Sequence, residues 1–331
     1  MPDLIETLHA RNIQKAILSQ GNQSICTKFC QSDFLEYHKK SKNSEISCEF
    51  LAGNVLGNDY VFPFNTSKFE LNSTRITSHS GSPYGGVCVN NSDPTLIKAI
   101  YMEIFEWFYT QYIGEVSFEV RLPPSILYDS VNAHEWALWS LGFQAEVVYL
   151  GRYFNGNVNR SYNRNRTRRI SKLDRSRFKI ENMSIPTPDG YQILTKNRQG
   201  RHSVTPLHSL MDFLLIEELS PGTVSTLIVS HENYLCSIAI SFQDTNFSTL
   251  QYLAGSECSF NCGSQDLLVD ELITRNSVNK SLLLLGTSTN PETNHRELNH
   301  GLDLYKQSFG ATTYSAHRLM LHKRIVNPLS P

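Results

Sequence analysis

Leu96, Ile97, Ile100, Tyr101, Ile104, Phe105, Phe108 and Tyr112 recur at close to 3.6-residue spacing, which predicts a helix that buries one face. Asp93 supplies a carboxylate to cap the first free N–H groups, and Pro94 suits the first helical position, where its missing N–H has no partner to lose. Gly114 is expected to close that helix. From Val116 to Val120 the pattern turns to alternation, the period of a half-buried strand, and Leu122-Pro123-Pro124 ends it because proline cannot donate to a ladder. A second helix over residues 134–141 closes at Gly142-Phe143, and a strand over 145–149 follows. Strand-like segments at 47–51 and 59–64 precede this unit.

The second half has a denser pattern. Helices are expected over 190–198 and 209–219, the latter stopped by Pro221-Gly222. Apolar runs over 224–230, 234–242 and 247–254 are joined by His231-Glu232-Asn233 and Asp244-Thr245-Asn246, and such short polar connections predict hairpins. After Gly255 a helix begins near Gly263-Ser264 with Leu267, Leu268, Leu272 and Ile273 on one face, and a strand over 282–285 follows. The implied class is α/β, with three α-β-α layers and mixed sheets.

Composition changes this picture at one place. Residues 155–179 carry Arg160, Arg164, Arg166, Arg168, Arg169, Lys172, Arg175, Arg177 and Lys179 against the single acid Asp174. A short helix over 169–173 and a strand over 178–181 are expected there. The run admits two readings, a solvated helix face or a surface for phosphates. We place the domain boundary at its start, giving domains 1–155 and 156–331, in keeping with a length of 331 residues. A formal net charge of −1 argues against a dedicated nucleic-acid or membrane-surface protein. The start Met1-Pro2-Asp3-Leu4 lacks the pattern of a secretory leader, and the longest aliphatic run, Leu282 to Leu285, is far too short for a membrane span. The 7 cysteines form no compact framework, as expected for reduced thiols in a cytoplasm. Cys26/Cys30 and Cys258/Cys262 are each spaced to offer two zinc ligands, but neither has a second pair nearby in sequence, so no metal is expected. Nothing in the sequence fixes the oligomeric state.

Four segments carry a resemblance. They are Ser82-Pro83-Tyr84-Gly85-Gly86; Leu141-Gly142-Phe143; the stretch Arg201 to Leu210; and a C-terminal group made of Leu285 to Thr289, Leu298 to Leu302, and Tyr305-Lys306-Gln307-Ser308-Phe309-Gly310-Ala311. In this order and spacing they resemble the FemAB-like branch of the GNAT acyltransferase superfamily, whose members carry two such domains in tandem. The resemblance implies transfer of an acyl or aminoacyl group to an amine. It favours acyl-CoA as donor and an amino-sugar, surface-polysaccharide or cell-wall precursor, lipid- or nucleotide-linked, as acceptor. Fem proteins take the amino acid from a charged tRNA, so tRNA is the alternative partner. A tandem fold that binds a ligand without chemistry is the third reading.

Acyl transfer needs a neutral amine in line, a polarised carbonyl, and an answer to the charge of the tetrahedral intermediate. The GNAT pattern implies a donor along a splayed strand edge and the following helix start, here Gln251, Tyr252, Gly263, Ser264 and Gln265. Asn261-Cys262-Gly263-Ser264 departs from the usual pyrophosphate loop, with one glycine and no preceding Gln or Arg at the usual spacing. Lys306 matches the lysine implicated in transfer among Fem relatives. Glu292 and His300 are candidate bases for the incoming amine, and Ser288, Thr289 and Asn299 stand close to them in sequence. Tyr84, Gly85, Gly86, Arg201 and His208 are candidate substrate contacts; each has an ordinary turn, capping or packing role as its rival reading.

Overall fold

The computed structural model describes residues 1–19, 25–41, 47–70, 73–79, 81–158 and 161–325, apart from the side chains of Lys39, Phe69, Glu70, Arg201 and His202. The expected substrate contact Arg201 and the basic residue Arg160 lie outside that description. The chain divides into two compact units. The first is 1–149 with 294–296 and 315–331; the second is 150–293 with 297–314. They do not divide at 155/156. The sequence pattern at that point marks a polar segment, whereas the units are set by which strands pair.

In the first unit the elements are β1 (Asp3–Ile5), α1 (Thr7–Ser19), α2 (Ser32–Lys40), β2 (Glu49–Val55), β3 (Asn58–Glu70), β4 (Ser73–Thr77), β5 (Cys88–Val89), α3 (Pro94–Gln111), β6 (Gly114–Arg121) and α4 (Val131–Ser140). Strand β7 (Gln144–Asn155) begins here and passes at Tyr149/Leu150 into the second unit. The strands β2, β3 and β4 form an antiparallel meander, and β4 then pairs in parallel with β6 from Ser73↔Glu115 to Thr77↔Glu119. Asp93 caps α3 through Thr95 N and Leu96 N, as its sequence implies. Tyr112 rather than Gly114 ends that helix; Gly114, at φ +101°, opens β6. Phe62, Phe64, Phe105, Phe108 and Phe118 build the aromatic core between sheet and helix.

The second unit repeats the order. Its elements are α5 (Arg164–Ser171), β8 (Phe178–Met183), α6 (Pro188–His202), α7 (Leu210–Leu219), β9 (Val224–His231), β10 (Tyr234–Gln243), β11 (Phe247–Gly255), the single turn α8 (Ser259–Cys262), α9 (Ser264–Val278), β12 (Leu282–Thr287) and α10 (His300–Gln307). Strand β13 (Thr312–Ile325) starts here and, from Ser315, belongs to the first unit, where it pairs with β6. Glu232 and Asn233 both have positive φ, the requirement of a tight two-residue hairpin turn between β9 and β10. Ser209 and Asp212 form a capping box on α7. Alternation along β9 and β10 sends Leu227, Val229 and Ala239 into the cluster with α9. Their neighbours Ile228 and Ile238 face Gly190 of α6, so helices cover both faces of this sheet. No helix among the described residues is long and apolar enough to cross a membrane.

Candidate active site

Strands β11 and β12 part early. Only Phe247↔Leu282, Ser248↔Leu283 and Thr249↔Leu284 pair in parallel, although β11 runs on to Gly255. Gln251 is the extra residue of a bulge opposite Ile240 and Ser241 of β10. A bulge bends its strand and raises the local twist, which helps to turn the end of β11 away from β12. On the other side of the opening, the pairing of β12 with the Leu150–Asn155 part of β7 breaks register between Leu284 and Thr287, where Gly286 takes φ +74°. Glycine is needed there because the left-handed region penalises a Cβ.

Lys306 sits at this break. Its Nζ donates to the carbonyl oxygens of Gly286 at 2.8 Å and Thr287 at 2.7 Å, with Ser288 Oγ at 3.4 Å. The residue is 6% exposed, and loss of hydration pulls its pKa down to about 7 against the opposing pull of Asp303. Asp303, one turn earlier on α10, receives two hydrogen bonds from Arg152 at 2.9 and 2.6 Å, which hold its carboxyl below the usual range. An ammonium that can exchange its proton near neutrality therefore stands where two strands separate. Such a group can answer developing negative charge or hand a proton to a leaving group.

Tyr305, Phe309 and Gly310 of the motif are explained by packing. Arg166 stacks its guanidinium over Tyr305 at 4.8 Å and Phe309 at 4.3 Å and pairs with Asp266 of α9. Gly310 is at φ +77°, and a Cβ there would lie 2.4 Å from the carbonyl oxygen of Ser161. Lys306 alone in this motif is turned to the break.

The other expected residues scatter. Ser288 and Thr289 are both buried, Ser288 beside Lys306 and Thr289 bridged to Leu298. Asn299 is the cap of α10, its Oδ1 accepting from Leu302 N at 3.0 Å, so its side chain is engaged in holding the helix. His300 is exposed at the first position of α10, and Glu292 is exposed on the short turn at 291–293. The helical spacing thus does not bring His300 to the buried face that carries Asp303 and Lys306. Tyr252 is buried, its hydroxyl bonded to His208 Nδ1 at 2.9 Å. His208 packs on Phe213 and Phe242, and burial lowers its pKa to about 4, so it is a neutral core residue. Ser264 bonds Ser237 from inside the fold. Gly263, at φ +76°, links α8 to α9, and Gln265 is half-buried against Gly255. No side chain caps the first turn of α9.

Tyr84, Gly85 and Gly86 lie inside the first unit. Tyr84 packs on Phe29; a Cβ on Gly85 would fall 1.4 Å from Ser78 O, and one on Gly86 2.8 Å from Ile25 Cδ1. The close approach these glycines permit is to their own chain, which corrects the expectation of a ligand contact. The basic run also divides. Arg166 and Arg169 pair with Asp266, Arg175 with Asp270, Arg177 with Glu232 and Lys179 with Glu181. Arg164, Arg168 and Lys172 stand exposed at intervals of four on one face.

Sequence reasoning missed Arg152, and it held Gly286 only as part of the Leu285 to Thr289 segment. No local signal links Arg152 to Asp303, 151 positions away. Asp303 itself could have been noticed as a carboxylate one helical turn from Lys306.

No protein-family model matches the sequence, and no curated protein is similar to it at a significant level. The fold does match solved structures. A FemX structure covers 96% of this chain and 96% of its own at TM-score 0.66 and 12% identity. The C-terminal domain of a putative lysylphosphatidylglycerol synthetase from Agrobacterium fabrum covers 95% and 91% at TM-score 0.56 and 10% identity. A tandem GNAT protein from the clavulanic acid biosynthesis pathway covers 100% of both chains at TM-score 0.52 and 8% identity. The chain shares the fold of these structures, FemX and a tandem GNAT protein among them, which is the fold that the resemblance implied.

Proposed function

We propose that this chain moves an acyl or aminoacyl group from an activated donor to an amine, with Lys306 answering the charge that develops. The amine nitrogen attacks the carbonyl carbon, a C–N bond forms, and the C–S or C–O bond to the carrier breaks. The amine proton ends on the departing thiol or hydroxyl. The observation that carries the reading is the buried Lys306 ammonium, held on two carbonyl oxygens where β11 and β12 separate. In its protonated form it stabilises the carbonyl oxygen of the tetrahedral intermediate, a contribution worth about 10²–10³ in rate for one well-placed donor.

Acyl-CoA is the first donor we propose, with an amino-sugar or a lipid- or nucleotide-linked surface precursor as acceptor. The uncapped N–H groups at the start of α9 suit a pyrophosphate. The second reading, aminoacyl-tRNA, draws on a different observation: the exposed stripe Arg164, Arg168 and Lys172, for which the described residues provide no ion pair. Thermal melting separates them. Stabilisation by acetyl-CoA and not by tRNA supports the first reading, and the reverse supports the second. Replacing the stripe with glutamine should then weaken tRNA binding and flatten its salt dependence. A melt that neither ligand moves, with no product from either donor, would leave a binding protein without chemistry.

A further inference from the structure

A thiol from β10 meets two from the loop leading into α9. Cys236, Cys258 and Cys262 have sulfurs that all lie within 4.8 Å of one another, and Cys236 Sγ is 3.1 Å from Cys258 Sγ. Two features of the backbone bring them there. Cys236 is the bulged residue of β10, the position at which the register against β9 shifts between Leu235 and Ser237, and a bulge re-aims its side chain out of the regular ladder. Cys258 caps the single turn α8 and Cys262 is its last residue, a spacing of four that puts both sulfurs on one side of it. The carbonyl oxygen of Cys236 also accepts from Ser256 N at 2.8 Å and Ser256 Oγ at 3.1 Å, so the loop is fastened to the bulge without the sulfurs.

We propose that these three sulfurs form a binding site for one soft d¹⁰ metal ion of the zinc class, with the fourth position left to water or an outside ligand. A tetrahedral centre with metal–sulfur bonds of about 2.3 Å needs sulfurs about 3.8 Å apart. The trio meets that spacing after side-chain adjustments of less than about 1 Å. Binding replaces three S–H bonds by three sulfur–metal bonds and releases three protons. The protons are held unequally. The Ser256 hydroxyl lowers the pKa of Cys258, whereas burial pushes Cys236 up to about 12. Cys258 is exposed, so an ion can enter from solvent and meet this sulfur first. The bound ion would tie β10 to the α8 turn ahead of α9. This inference is independent of the transfer reaction.

The test uses the full chain, reduced and stripped of metal, titrated with Co(II) and then with Zn(II). Expected are thiolate-to-cobalt charge-transfer absorption, its loss as zinc displaces cobalt, proton release on binding, and a higher melting temperature with zinc. Cys236→Ser, Cys258→Ser and Cys262→Ser should each weaken binding by at least about tenfold, since losing an outer-shell partner alone can do as much. Cys258→Ser changes an exposed side chain and keeps the comparison clear of misfolding. Cobalt spectra without thiolate bands, or zinc affinity unchanged in Cys258→Ser, would overturn the site. So would oxidation of the fresh protein to a Cys236–Cys258 disulfide with no zinc uptake after reduction.

Discussion

The two units share an element order and differ at one position that the fold itself allows to be compared. Each sequence of elements runs meander, helix, parallel strand, helix, closing strand: β2–β4, α3, β6, α4 and β7, which starts in the first unit, and β9–β11, α9, β12, α10 and β13, which starts in the second. In each, a left-handed glycine ends the last helix two residues before the closing strand begins, Gly142 at φ +92° and Gly310 at φ +77°. Four residues before that glycine the first unit has Leu138, fully buried in its core. The second has Lys306. The parallel pairs differ in step with this. The β4–β6 pair stays joined along the whole of β4, whereas β11 and β12 separate after Thr249↔Leu284. An apolar residue closes the architecture where the strands stay paired. The fold therefore does not require a buried ammonium, and its presence at the open pair is the ground of the transfer we propose.

The comparison can be broken by exchanging the two residues. Leu138→Lys places a charge among the apolar side chains of the first unit's core and should destabilise the protein by about 3–5 kcal/mol, read by denaturant unfolding. An effect of similar size is expected from pH. The native chain holds the Lys306 pKa at about 7 against an ordinary value of 10.5, so between those values it binds fewer protons than the unfolded chain. Stability contributed by this group should rise with pH across that window, and the rise should vanish in Lys306→Gln. In turnover the sign reverses. In the role proposed for Lys306 the protonated form is the working one, so the rate should fall above a midpoint near 7, and Lys306→Arg, which stays charged, should lose that falling arm. The smallest effect is expected for Gly286→Ala, about 1–2 kcal/mol from the left-handed backbone, with some loss of turnover as the carbonyls that hold Lys306 shift.

Much of the architecture was legible because it is written locally. The cap at Asp93, the hairpin turn at Glu232-Asn233 and the apolar face of α9 each follow from neighbouring residues, and all appear as expected. The closing strand β13 carried no comparable signal. Its partner β6 lies some 200 positions earlier, and only that pairing tells a strand from any other mixed segment. The start of α5 was also missed, since Asn163 caps it ahead of a polar sequence whose one buried side chain, Arg166, reads as solvated. The same limit applies at the site. Lys306 stood out by its motif, but its setting depends on Gly286, Asp303 and Arg152, brought together only by the fold. The glycines of the Ser82–Gly86 turn misled for the opposite reason, because a glycine that admits a ligand and one that admits its own chain look alike in sequence.

Lys306→Leu makes the second unit match the first at the compared position, and the decisive measurement takes turnover and unfolding free energy on the same preparation. The account predicts a rate lower by about 10²–10³ with stability unchanged or higher. Undiminished turnover, or a protein that loses stability along with its activity, would contradict it.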